Sequence, residues 1–377
     1  MELHHGRPRH GEERRDEPAL GGVELVRRLG GGELTASVGS RPHGSSSGVK
    51  RVSAFLLRRL GGGLVVLGIV AVGTFLLLEA APGDAAGAYF LSIGGGDPGA
   101  LAALRESWGL DRSMLARLAL YLGGLARGDL GWSLAFRRPV VDVVLERLPN
   151  TLLLMGGALA LSFGLGSALG IVAGARPGSV RDRALSIGSL ALTAVPSFWL
   201  SLVLVLVFGV RLRWLPLSGI ETIASGKTGL DRAADVARHL VLPVLALGLV
   251  YFALYLRVMR AGMGEVWRED FVLAARARGI GRPRIVLRHV ARNALLPLVT
   301  VLGLQAAAML GGSVVVESVF AVPGLGRLAA EAVAARDTPL LMGVVLLSAV
   351  FVFFINAAVD LAYAALDPRV GGRTRFP

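Results

Sequence analysis

Cysteine is absent from the 377-residue chain. No disulfide framework, thiolate nucleophile or cysteine-ligated metal site can be built from it, and cysteine usage leaves the redox compartment undetermined. Charge is scarce as well: 18% of residues are Asp, Glu, Lys or Arg, against 53% hydrophobic residues and a mean hydropathy of +0.61. That balance is too apolar for an ordinary soluble protein of this length and points to the bilayer.

Ionisable side chains are missing altogether from six windows: Leu60 to Leu78, Leu148 to Ala175, Ala184 to Val210, Leu240 to Leu256, Asn293 to Val316 and Thr338 to Val359. Five of them reach or exceed the roughly 18 residues of a bilayer-spanning helix, and the fourth, at 17, sits at the lower limit. Backbone groups in hydrocarbon must be satisfied within the segment, so the windows read as helices. The expected fold is therefore an all-α membrane protein with six transmembrane helices. The windows also lack the mid-membrane acid, histidine or broken-helix ion site that the alternative, an ion-gradient-driven secondary transporter, would need. An intramembrane enzyme is disfavoured too, because His239 at a window's edge finds no base, nucleophile or metal cluster at its depth. No cofactor and no metal site is expected.

The formal charge of +13 lies beside the apolar windows, where basic residues fix topology, so it does not indicate nucleic acid. The short loop Arg176 to Arg183 holds three arginines, and the loop 257–292 after the fourth window holds nine. Both are expected in the cytoplasm, and alternation through six spans puts both termini there. Pro82 to Arg147 has seven basic and seven acidic residues and reads as a small extracytoplasmic subdomain between helices 1 and 2. The loop from Arg211 to His239 carries five basic residues, which weakens the asymmetry without reversing it. The expected organisation is a disordered polar tail over 1–50, with a start-site extension as competing explanation, and a first transmembrane helix over 51–81. The subdomain over 82–147, a five-helix core over 148–370 and a cytoplasmic tail over 371–377 complete it. The lipid bilayer is the first partner, and the location is the inner membrane.

Glu79, His239, Glu317 and Asp360 stand at window ends, where water reaches them, so anchoring is their expected role. Among 51 glycines, Gly156 with Ala160, Gly166 with Gly170, and Gly311 offer small faces for helix association. Gly226-Lys227-Thr228 imitates the end of a phosphate-binding loop, but Glu221 stands where the first glycine is required. Energy from ATP must come through another chain.

The most informative segment is Glu265 to Pro297, in which an arginine-laden stretch is interrupted by Gly279 and Gly281. Phe271, Val272, Ala274 and Ala275 precede Gly279, so a short helix with a small-residue face should end there, before Pro283 opens another. Small residues let a partner's backbone approach, and guanidinium groups such as Arg276 and Arg278 suit its carboxylates. An ordinary positive loop on anionic headgroups is the plainer alternative.

Here the sequence resembles the permeases of ABC importers, whose cytoplasmic loop carries a Glu-Ala-Ala, three residues, Gly pattern; Leu273-Ala274-Ala275 followed by Gly279 fits it. Leu273 in place of Glu and the late Pro297 depart from the general pattern and are similar to the oligopeptide, dipeptide and nickel branch. Leu57-Arg58-Arg59, Ala81-Pro82-Gly83-Asp84, Leu148-Pro149-Asn150-Thr151 and Pro196-Ser197-Phe198 also resemble that branch, as do Arg292 to Pro297, Glu317 to Phe320, Pro323 to Gly326 and Asp367-Pro368-Arg369. The resemblance covers residues 51 to 370 and implies a type I importer permease, a non-catalytic subunit moving peptides or related solutes, nickel chelates included. It further implies partners: ATP-binding subunits, a homologous second permease and an extracytoplasmic solute-binding protein. By the same resemblance Phe271, Ala274, Ala275, Arg276, Arg278 and Gly279 form the ATPase-coupling loop.

Overall fold

The computed structural model describes the backbone of residues 46–81, 83–92, 94–95 and 97–366, and most side chains between residues 61 and 359. Most of the expected tail over 1–50, the tail 371–377, Pro82, the side chains of Leu57-Arg58-Arg59 and of Asp360, and the Asp367-Pro368-Arg369 motif lie outside the described residues. Residues 1–54 and 55–377 are separate units; in the first, the described backbone is helical from Ser46 onward.

The unbroken apolar windows become long helices. Helix α1 (Ser46–Ala80) is followed by three short ones, α2 (Ala85–Ser92), α3 (Pro98–Ser107) and α4 (Met114–Leu125). A two-stranded antiparallel hairpin, β1 (Trp132–Ser133) with β2 (Arg138–Pro139), pairs Trp132 with Pro139 and Ser133 with Arg138. Extended Pro139 then opens α5 (Val140–Ala175), with Asp142 in its first turn. The eight residues from Val140 to Arg147 thus belong to a helix, where the sequence suggested the end of the subdomain. The rest of that subdomain forms as a set of short elements between α1 and α5. It is latched to the opposite end of the chain by Asp337. That buried carboxylate accepts from Ser133 Oγ at 2.6 Å and the Ala135 N–H at 2.9 Å, and also caps the next helix through the Leu340 N–H at 3.1 Å.

Among the described residues five helices are long and apolar enough to cross a membrane, within Gly61–Ala80, Val140–Ala175, Gly229–Val266, Arg282–Val319 and Thr338–Val359. The third window differs from expectation. It is not one straight helix but α6 (Val180–Thr193) and α7 (Ser197–Leu204), the latter prolonged by a π-helical turn over Val205–Arg211, with a 100° bend between them. Pro196 explains the break: it has no N–H to donate, it disfavours helical geometry at Val195, and its own backbone is extended. Counting the bent pair as one span gives six.

The remaining elements are α8 (Gly229–Val266), α9 (Asp270–Ala277), α10 (Arg282–Arg284) running through a π-helical turn Ile285–Ala291 into α11 (Arg292–Val319), α12 (Leu325–Ala334) and α13 (Thr338–Leu366). The tightest helix pair is α5 with α8. Gly166, Gly170 and Gly174 stand one turn apart on α5, and a methyl added at each would come within 2.6 Å of Phe252 O, 2.6 Å of Met259 Cβ and 2.8 Å of Met263 Sδ. Small residues allow this approach, which lipid-embedded helices rely on in place of a hydrophobic drive. A methyl added at Gly156 or Gly311 would meet none of the described residues within 4 Å, so neither glycine serves this seam.

Candidate coupling surface

The basic loop is a folded platform. Helix α8 runs past its apolar window to Val266, and a tight turn through Trp267, Arg268 and Glu269 reverses the chain. Glu269 is extended and Asp270 falls in the first turn of α9, where its charge suits the helix N-terminus. Val272 and Ala275, three residues apart and only 1% and 5% exposed, are the inward face of α9. They sit in an apolar cluster with Met259, Met263, Ile285, Val286 and Val290. The outward face is Phe271, Leu273, Ala274, Arg276 and Arg278.

Gly279 closes the helix at a φ of +74°, a conformation other residues adopt at a cost of about 1 kcal/mol. The Ile280 N–H reaches Ala275 O at 3.2 Å and the Gly279 N–H reaches Arg276 O at 2.9 Å. These two bonds, with Ile280 and Ala275 in one apolar cluster, make a Schellman cap. Gly281 is extended, and Pro283 lies in the first turn of α10.

This platform is tied to the C-terminal end of α5, whose last carbonyls have no partner inside the helix. Trp267 Nε1 donates to Gly174 O at 2.9 Å and Arg282 Nη2 to Ala175 O at 3.0 Å. The guanidinium carbons of Arg276 and Arg282 lie 5.0 and 5.8 Å from the centre of the Trp267 ring, so the indole is both a hydrogen-bond donor and a cation–π surface. Beneath, Arg260 of α8 forks onto buried Asp182 of α6, with Nη2 to Oδ2 at 3.0 Å.

Of the six residues singled out from the sequence, Phe271, Ala274, Arg276, Arg278 and Gly279 share the exposed face. Ala275 does not: its small side chain fills the space beneath α9. Arg276 divides its role between that face and Trp267.

A second constellation went unnoticed in the sequence. Glu317, expected at a water-reached window end, is fully buried. Burial follows from the chain folding back after α11, since Pro323 to Gly326 covers the carboxylate and leaves no room for a side chain at Gly324. Thr151 Oγ1 donates to Glu317 Oε1 at 2.9 Å and the Arg327 N–H donates to Oε2 at 2.9 Å. Thr151 Oγ1 in turn accepts from the Leu325 N–H at 2.7 Å, and Asn150 Nδ2 donates to Pro323 O at 2.8 Å. Among the described residues no basic side chain pairs with Glu317. Three separate motifs, Leu148 to Thr151, Glu317 to Phe320 and Pro323 to Gly326, are thus one clasp. An acid within an apolar helix followed by a Gly-x-Gly turn was the available signal.

The chain matches the family described as binding-protein-dependent transport system inner membrane component over residues 166–372, and the N-terminal family of the same membrane components over residues 52–155. The chain belongs to this family. It is therefore the membrane-spanning, non-catalytic permease subunit of an ATP-driven importer, working with separate ATP-binding subunits and a solute-binding protein. Similar relatives of this permease include a putative peptide permease protein of Brucella ovis, 37% identical over 317 residues that make up 84% of this chain and 98% of that protein. The oligopeptide transport system permease protein AppB of Bacillus subtilis is 34% identical over 324 residues, 85% of this chain and 99% of its own length. The di/tripeptide transport system permease protein DppB of Pseudomonas aeruginosa is 35% identical over 333 residues, 84% and 98%. An inward-facing structure of the MetNI methionine ABC transporter aligns with 60% of this permease and 97% of its own chain, at 18% identity and a TM-score of 0.49.

Proposed function

We propose that this permease imports peptides or related small solutes, handed over by the solute-binding protein, and that α9 with Gly279 is the element that seats in an ATPase subunit. The substrate reading rests on the relatives' names. The coupling reading rests on one observation above the rest: α9 is a short helix held rigidly on its inner face while Phe271, Ala274 and Arg278 stand free on the other. A rigid exposed knob transmits displacement, whereas a loose loop would absorb it. Both termini, with residues 1–50 and 371–377, and the α9 platform lie on the cytoplasmic side in this reading, and the α2–α4 subdomain lies outside. A homologous second permease completes the pathway.

The test is affinity capture of the tagged permease from native membranes, comparing wild type with Ala274→Trp, Gly279→Asn and Gly279→Val. Wild type should bring down ATPase subunits and a sister permease. Ala274→Trp should lose the ATPases and keep the sister chain. Gly279→Asn should retain both, because Asn tolerates the left-handed conformation, and Gly279→Val should not. Undiminished ATPase recovery with Ala274→Trp overturns the assignment of α9.

A further inference from the structure

The turn between α5 and α6 carries Arg176, Arg181 and Arg183, all exposed. Its acid does not neutralise them. Asp182 is buried and accepts from Arg260, from the Gly178 N–H at 2.9 Å and from Ser186 Oγ at 3.4 Å. Among the described residues no ion pair engages any of the three arginines.

Beside them opens a cavity of about 510 Å³ whose walls include Ile171, Val172 and Val180, with Arg176 and Arg181 at its edge. The aliphatic surface continues along α6: Val180, Ile187 and Leu190 are 82%, 67% and 60% exposed, and Val172 of α5 is 45% exposed. Positions 180, 187 and 190 share one helix face, on which exposed Arg183 stands between Val180 and Ile187. A hydrocarbon-facing stripe that ends in unpaired guanidinium groups fits an amphiphile with an anionic head. Guanidinium forks match phosphate oxygens two at a time, and basic pockets between spans hold lipid headgroups. An acidic protein partner would satisfy the arginines and leave the stripe bare.

We propose that this cavity holds one anionic phospholipid of the surrounding bilayer, its phosphodiester between Arg176 and Arg181 and its acyl chains along Val172, Val180 and Ile187. The site needs only that the chain lies in a membrane, and it is independent of both the solute and the coupling role of α9. It adjoins the platform, because Ala175, which lines the cavity, also accepts the hydrogen bond from Arg282. An occupied site would therefore brace the end of α5 on which α9 rests.

The experiment is native mass spectrometry of the full-length protein after detergent exchange, with added phosphatidylglycerol or phosphatidylcholine of equal chain length. Wild type should retain one phosphatidylglycerol, roughly thirtyfold over phosphatidylcholine from two arginines at a membrane surface. Arg176→Gln/Arg181→Gln should lose that preference, and Val180→Gln, which leaves both arginines, should reduce retention of the lipid. Arg268→Gln, an exposed arginine in the separate α8–α9 turn, should leave phosphatidylglycerol retention unaltered. Gel filtration shows whether each variant is folded, and Val180→Gln decides the matter if the double variant is not. Equal retention of the two lipids, or unaltered phosphatidylglycerol in the double variant, overturns the proposal. Displacement by millimolar glycerol phosphate or inorganic phosphate would mark a soluble-anion site and overturn the lipid assignment.

Discussion

Helix α5 is held in opposite ways at its C-terminal end and around Thr151, about three turns in from Val140. At Gly174 and Ala175 the helix is gripped by side chains of the basic loop, Trp267 and Arg282, in a half-exposed setting of charge and aromatic surface. At Asn150 and Thr151 it is gripped by a buried carboxylate, by the Leu325 N–H and by the Pro323 carbonyl of a glycine turn. Water competes for the first set of contacts and not for the second. A helix fixed firmly part-way along and adjustably at its C-terminal end can tilt from the adjustable end.

The contrast breaks first at Glu317. Glu317→Ala strands the Thr151 hydroxyl and the Arg327 N–H in a dry site and should cost about 3 kcal/mol, at roughly 1–3 kcal/mol for each orphaned group. Glu317→Gln should cost far less, as its carbonyl still accepts. The midpoint of thermal unfolding in detergent reports both, and an unshifted midpoint for Glu317→Ala would erase the distinction between the two grips. Thr151→Val comes next, at about 2 kcal/mol, since one hydroxyl serves both Glu317 and Leu325. Combined with Glu317→Gln its effect should be less than additive, the mark of a shared network.

Trp267→Phe should change the midpoint little, by about 1 kcal/mol or less, because a single hydrogen bond and part of a cation–π contact are lost where water can substitute. Its signature is faster amide exchange confined to residues 267–282. The smallest effect is expected on the clasp's side of the molecule, where Gly219 N–H donates to Phe320 O at 2.8 Å. Nearby, the Arg232 guanidinium holds the exposed Glu221 carboxyl below its ordinary value of 4.5. A lowered carboxyl value means the pair contributes fully above pH 4.5 and fades as pH falls through the lower folded value. Amide protection in residues 212–228, corrected for intrinsic exchange rates, should fall on such acidification in wild type and fall less in Glu221→Gln, where Asp235 still holds Thr222 and Lys227.

The short helix ending at Gly279 was legible because its signals are local. Phe271, Ala274 and Gly279 lie within nine residues, and the cap at Gly279 is decided by backbone sterics. The clasp was not, because Thr151 and Glu317 are 166 residues apart and nothing near Glu317 announces that Pro323 to Gly326 will fold over it. Counting uncharged residues found the apolar segments but was blind to direction, so Pro196, visible in the sequence, did not reveal a 100° bend. The inward turn of Ala275 was half legible: its three-residue spacing from Val272 suggested one face, while which face met the core depended on Met259 and Met263.

The glycine seam between α5 and α8 has a consequence for inheritance. Glycine is the smallest residue, so every missense change at Gly166, Gly170 or Gly174 adds atoms to an interface that has no space for a methyl. Variation there has a single direction, and it is harmful. Across the seam, Met259 and Met263 are flexible and can be exchanged for other shapes of similar volume. Drift in this helix pair should accumulate on α8 and spare the three positions of α5, so a lineage that altered its basic loop would do so against a fixed rail.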